Sequence, residues 1–126
     1  MGHCAAERLC HGNQNVFLGS CAGQYATCMN NAVAIGAHAG RNANAAGGAL
    51  IAIGFQAGMC NTLADGNTFI GVGAGKFSTG NANYNFYGGY GVGQVSAYAC
   101  SDSPLGGACN VALCLLYTSP SPRDCQ

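Results

Sequence analysis

The residues best equipped for chemistry in this chain of 126 are its nine cysteines and three histidines. Thiolate and imidazole are the usual ligands of zinc, and paired cysteines form disulfides, so spacing must decide between these uses. No Cys-x-x-Cys pair occurs, and His3, His11 and His38 are not spaced as zinc ligands. Cys10-His11 with Cys28 is the nearest thing to a metal cluster, and a pair of turn residues is the simpler reading. Three cysteine pairings remain as disulfide candidates: Cys4–Cys21, Cys10–Cys28 and Cys100–Cys109. Small buried filler is the leading alternative, because free cysteine is among the most buried residue types.

Catalytic constellations are missing. Outside the last residues the only carboxylates are Glu7, Asp65 and Asp102, which lie far apart in polar stretches and offer no acid–base pair. Nothing sets a buried aspartate beside a histidine and a serine. Gly71-Val72-Gly73-Ala74-Gly75-Lys76 has the outline of a phosphate loop, but it lacks the glycine spacing and the Ser/Thr after the lysine. The expectation is a non-enzyme with no cofactor, no catalytic residues and no bound metal.

What must position these residues is a repeat. A glycine follows a hydrophobic dipeptide at Phe17-Leu18-Gly19, Ala34-Ile35-Gly36, Ala52-Ile53-Gly54, Phe69-Ile70-Gly71 and Phe86-Tyr87-Gly88, at intervals of 17, 18, 17 and 17 residues. Four positions after each of the first four comes a second glycine: Gly23, Gly40, Gly58 and Gly75. Gly2 and Ala6 fit one period earlier, with alanine in the second place. A short period repeated this often predicts an all-β chain, a parallel β-solenoid (β-roll) of 17–18-residue coils. Cys4 and Cys21 then share one repeat position, and stacking would set their Cα atoms about 5 Å apart, inside the disulfide range.

Within each repeat the β-branched and aromatic segments Val16–Leu18, Val33–Ile35, Ile51–Ile53 and Thr68–Ile70 predict strands. Alternation sends Leu18, Ile35, Ile53, Ile70 and Tyr87 to one face, with Val16, Val33, Ile51 and Thr68 beside them. That face is expected to form the buried ladder. Phe17, Ala34, Ala52, Phe69 and Phe86 are then expected to point outward, as a second apolar face that suits oligomerisation. The glycines, Gly88 included, are expected to supply positive φ or close backbone approach at the corners. The stretch from 94 to 109 is longer than the other turns and is expected to loop out.

Composition narrows the partners. Four basic and four acidic residues cancel, which removes the basic face that nucleic acid requires. No apolar run approaches the ~20 residues of a membrane-spanning helix. The final segment, Cys114 to Asp124, resembles the in-frame translation of a transposase sequencing adapter, so residues 114–126 are set aside from the fold and residues 1–113 assigned to the solenoid. Asn110-Val111-Ala112-Leu113 has the same form as Asn15-Val16-Phe17-Leu18, so the expectation is an internal slice of a longer repeat protein, uncapped at both ends.

Asn67-Thr68-Phe69-Ile70-Gly71-Val72-Gly73-Ala74-Gly75-Lys76-Phe77-Ser78-Thr79-Gly80-Asn81 resembles the repeats of bacteriophage tail-fibre and tail-spike proteins. Val33-Ala34-Ile35-Gly36-Ala37-His38-Ala39 resembles the head repeats of trimeric autotransporter adhesins. The resemblance covers residues 2 to 113 and implies a left-handed β-roll, three of which associate side by side. It implies a structural or adhesive segment of a homotrimeric virion fibre, acting in attachment to a host-surface glycan or protein. The alternatives it leaves open are the head of an adhesin on a bacterial surface and the non-catalytic part of a glycan-cleaving tail spike.

Overall fold

Short apolar strands separated by glycine-rich turns cannot bury a face alone; each needs the next repeat stacked against it. The computed structural model describes residues 2–44, 48–62, 65–78, 83–93, 109 and 111–113. Its strands are β1 (Val16–Leu18), β2 (Val33–Ile35), β3 (Leu50–Ile53), β4 (Asn67–Ile70), β5 (Phe86–Gly88) and β6 (Val111–Leu113). All six form one parallel sheet in chain order, each hydrogen-bonded to its successor. The molecule is a β-solenoid, and no helix occurs among the described residues. Partners in register, such as Val16 with Val33, Val33 with Ile51 and Ile51 with Thr68, repeat the period read from the glycines.

The turn after each strand follows one rule. In the Gly36 coil, Ala39 N–H donates to Gly36 O, Arg41 N–H to His38 O and Ala43 N–H to Gly40 O, three turns in succession. The intervening N–H groups reach the neighbouring coils. His38 donates to Ser20 O at 2.9 Å in the coil before, and Gly40 donates to Ala57 O at 2.9 Å in the coil after. Both donors have left-handed φ, 59° and 55°. The backbone thus satisfies itself up and down the stack, as buried polar groups must.

Two glycine columns make this geometry accessible. At Gly54, φ is 131° and an added Cβ would stand 2.5 Å from the carbonyl oxygen of Gly71, so the coils approach backbone to backbone. At Gly75, φ is 57° and a Cβ would run into the Phe69 ring across the coil. Ala6 takes the same conformation, φ 52°, where the other repeats have glycine.

That second column reveals which way the strands face, and it reverses the expected ladder. Phe17, Ala34, Ala52, Phe69 and Tyr87 lie in register along the middle of the sheet, and the last four are buried to within 1%. Leu18 and Ile70 are 50% and 42% exposed, Ile35 and Ile53 are half-buried, and all four lie on the outer face with Val16, Val33, Ile51 and Thr68. Of the five residues expected inside, only Tyr87 is there. The reason is width. The opposite wall, carrying Gly40, Gly58 and Gly75 with Ala39, Ala57 and Ala74, stands so close that alanine or a flat ring fills the gap. A row of branched chains would not fit.

The fifth repeat also slips by one residue. Tyr87 pairs with Phe69 and Gly88 with Ile70, so Phe86 is the partner of outward Thr68. Gly88 is therefore an outer strand residue, and Gly89, at φ 121°, is the turn glycine facing Gly71. β6 pairs with β5 after a longer interval, Phe86 with Val111. The loop expected over 94–109 lies, apart from Cys109, outside the described residues, as do residues 114–126.

The interior is one continuous cluster. Met29 and Leu50 fill the space left by Ala34 and Ala52, and Phe69 stacks on Tyr87 with ring centroids 5.5 Å apart. Each such ring contributes about 1.5–3 kcal/mol by leaving water. The Tyr87 hydroxyl is buried without a partner, and burial pushes its pKa up.

Candidate functional site

The sheet's outer face is the larger of two surface features. Because the middle strand position faces the close glycine wall, the branched residues flanking it lie on the outside. Val16 and Leu18, Val33 and Ile35, Ile51 and Ile53, then Thr68 and Ile70, form two parallel rows along the stack. At β5 the two positions are Phe86 and Gly88, and beyond that break Val111 and Leu113 resume the rows at 73% and 69% exposure. One residue past the turn glycine, exposed Phe55, Val72 and Tyr90 add a third apolar row to the later coils. The result is a ribbon of aliphatic and aromatic side chains in contact with water. A patch this extended on a protein surface marks an interaction site.

The second feature is an edge built by residues five and six positions after the glycines. Gln24 Nε2 donates to Glu7 Oε2 at 2.8 Å, and Arg41 Nε donates to Gln24 Oε1 at 3.0 Å, a polar chain across three coils. The hydrogen bond from Gln24 holds the Glu7 carboxyl below its ordinary value, with Cys4, Arg8 and His3 acting in the same sense. Beside this chain, two guanidinium groups lie over the ring of Tyr25. The Arg8 Cζ is 5.0 Å and the Arg41 Cζ 4.9 Å from the ring centroid. An Arg41 terminal nitrogen also donates to the Tyr25 hydroxyl at 3.4 Å. Two coils on, the Lys76 ammonium sits 5.2 Å over the Phe77 ring. Each cation is oriented by an aromatic neighbour.

The cysteines are less orderly than their spacing suggested. Cys4 and Cys21 are in register as expected: Cys21 N–H donates to His3 O at 2.7 Å, and the two share φ of 55° and 57°. Both are nevertheless free thiols. Loss of hydration, with the Glu7 carboxylate and the Cys21 thiol beside it, raises the Cys4 pKa. Cys10 and Cys28 are not partners. Cys10 N–H and His11 N–H both donate to Thr27 O, and His11 bridges to Cys28, so the pair is one step out of register. Here the coil is 17 residues long and the cysteines are 18 apart. Cys10 instead points its thiol at Arg8 O, 3.4 Å away. Cys109 is free and exposed, which removes the Cys100–Cys109 staple; Cys100 lies outside the described residues.

Nor are these cysteines buried filler, since all five are exposed or half-buried. Cys60 is the buried one, and it is disulfide-bonded, with its partner outside the described residues. Among the described residues no three His, Cys, Asp or Glu side chains converge to hold a metal ion. His38 sits edge-on to Phe55 with its Nδ1 buried and unpartnered.

Sequence reasoning missed the asparagines that tie coil to coil. Asn15 Oδ1 accepts from Ala32 N–H at 3.0 Å while its Nδ2 donates to Met29 O at 2.7 Å. Asn67 repeats the arrangement three coils later, accepting from Asn85 N–H at 2.8 Å and donating to Asn61 Oδ1 at 3.1 Å. The signal was present: asparagine recurs one residue before the outward residues Val16, Thr68, Phe86 and Val111. The shared phase of Arg41 and Lys76, five residues after Gly36 and Gly71, was equally visible.

Compared with known proteins, the chain matches no family model, no curated protein and no solved structure. No helix among the described residues is long and apolar enough to cross a membrane.

Proposed function

We propose that this chain is a stiff structural and adhesive segment of a homotrimeric fibre, of the kind that phage tail fibres use in host attachment. One observation carries the reading: the outer face of the sheet carries exposed or half-buried Val, Leu and Ile side chains on β1 to β4 and again on β6. Such a face is stable in water when copies cover one another, and a straight ribbon repeated over these coils favours association side by side. Burial of a single Ile or Leu contributes about 1.5–3 kcal/mol, so a few coils suffice to hold copies together. The phage setting, and with it a place on the virion, rests on the repeat resemblance.

Sedimentation equilibrium of the chain tests the assembly. The expected mass is that of three copies, and Ile51→Glu with Ile70→Glu should return it to one. A single-copy mass for the unaltered chain at high micromolar concentration overturns the reading.

A further inference from the structure

Three of the five charged residues among those described are cations, and all three lie on the one edge. Arg8 belongs to the Gly2 coil, Arg41 to the Gly36 coil and Lys76 to the Gly71 coil, so each is two coils from the next. At the spacing of stacked strands, two coils rise about 10 Å, the length of an extended disaccharide. The carboxylate of Glu7 offsets one charge, and the edge as a whole keeps an excess of two.

We propose that this edge binds an extended acidic polysaccharide carrying one anionic group per disaccharide, laid along the axis of the solenoid. The proposal rests on the adhesive part of the function above and not on its assembly.

The side chains are arranged for such a ligand. Arg41 is held by neutral groups, the Gln24 amide oxygen and the Tyr25 ring and hydroxyl, so its charge is uncompensated and its remaining N–H groups are free to meet a carboxylate or sulfate. Both guanidinium groups lie over the Tyr25 ring, which orients the two arginines along the edge. Phe77 lies beside Lys76 and offers a hydrophobic surface to the apolar side of a sugar ring. A nucleic-acid strand fits the same edge poorly: its phosphates recur about every 3.4 Å along the axis, and three cations would leave most of them unmatched. Arg8 is exposed and Arg41 and Lys76 half-buried, so each contact is weak, and avidity comes from repetition along the ligand.

Isothermal titration of the full chain with short hyaluronan oligosaccharides, which bear a carboxylate on every second sugar, tests the idea against neutral dextran and a single-stranded oligonucleotide. Hyaluronan should bind, weaken as salt is raised, and lose roughly three- to fivefold in affinity for each cation removed in Lys76→Gln and Arg41→Gln. Lys76→Arg should retain affinity, and unchanged circular dichroism of the variants shows that the coil is intact. Equal binding of dextran, no loss in Lys76→Gln, or tighter binding of the oligonucleotide overturns the proposal. The sedimentation mass in the same buffer separates the two readings. A single-copy chain that binds hyaluronan overturns only the assembly, and a three-copy chain that does not bind overturns only this edge.

Discussion

The inner and outer faces of this one sheet are both apolar, yet they are filled on opposite terms. Inside, along the middle of the strands, stand Phe17, Ala34, Ala52, Phe69 and Tyr87; outside stand Val16, Leu18, Val33, Ile35, Ile51, Ile53, Thr68 and Ile70. The outer set is the bulkier at most coils and remains substantially exposed, while Ala34 and Ala52 are wholly buried. Hydrophobicity therefore does not choose the face. The distance to the opposite wall does: the middle strand position facing the glycine column takes alanine or a flat ring, and the bulkier Leu50 and Met29 fill what the alanines leave.

The largest test of that contrast is Phe69→Ala. Removing a fully buried ring from a wall that cannot collapse further should cost about 3–5 kcal/mol, read as a lower denaturation midpoint. If the loss is no greater than for an outer residue, the assignment of faces is wrong. Ala52→Leu asks the converse question. The extra bulk has nowhere to go beside Gly58, and about 1–3 kcal/mol of destabilisation is expected, although the substitution is more hydrophobic.

Ile70→Ser sharpens the outer side. In the single chain it should change stability by less than about 0.5 kcal/mol, because the residue is already in contact with water. The same substitution should weaken association measured by sedimentation, and an Ile70→Ser chain that associates as well as the parent would separate the ribbon from assembly. The smallest effect is expected on the polar edge. The folded-state pKa of Glu7 is depressed, so its contribution is present above the unfolded value and is lost as pH falls through the folded one. Amide exchange at Ala6 and Arg8, whose N–H groups bond to Ala22 O and Gln24 O, should quicken only below the ordinary glutamate range. Glu7→Gln should remove that pH dependence.

Much of the architecture could be read directly from residue order. The spacing of Gly19, Gly36, Gly54 and Gly71 implied stacked coils, and the described strands follow it in register. The left-handed turns at Gly23, Gly40, Gly58 and Gly75, and even the alanine substitute at Ala6, sit where the pattern put them. Period-two alternation, however, separates two sets of residues without saying which is inside. Both sets here are apolar, and the expectation that the Leu18, Ile35, Ile53 and Ile70 ladder is the core is overturned by the burial of Ala34, Ala52 and Phe69. The slip at Gly89 was hidden for a related reason: Gly88-Gly89 offers two glycines, and only pairing of Tyr87 with Phe69 selects the second.

The cysteines make the same point on a smaller scale. Cys4 and Cys21 were found to be in register because their coil keeps the period, whereas Cys10 and Cys28 miss by one residue, which is enough to separate their side chains in an extended chain. What the sequence by itself determined is periodicity: the coil length, the strand direction, the turn conformations and the columns along which residues repeat. Those follow from local steric rules at glycine and from the alternation of a strand. Only the tertiary structure decided which column is core and which is ribbon. These depend on the separation of two walls that residues distant in the chain bring together, and no local rule encodes it.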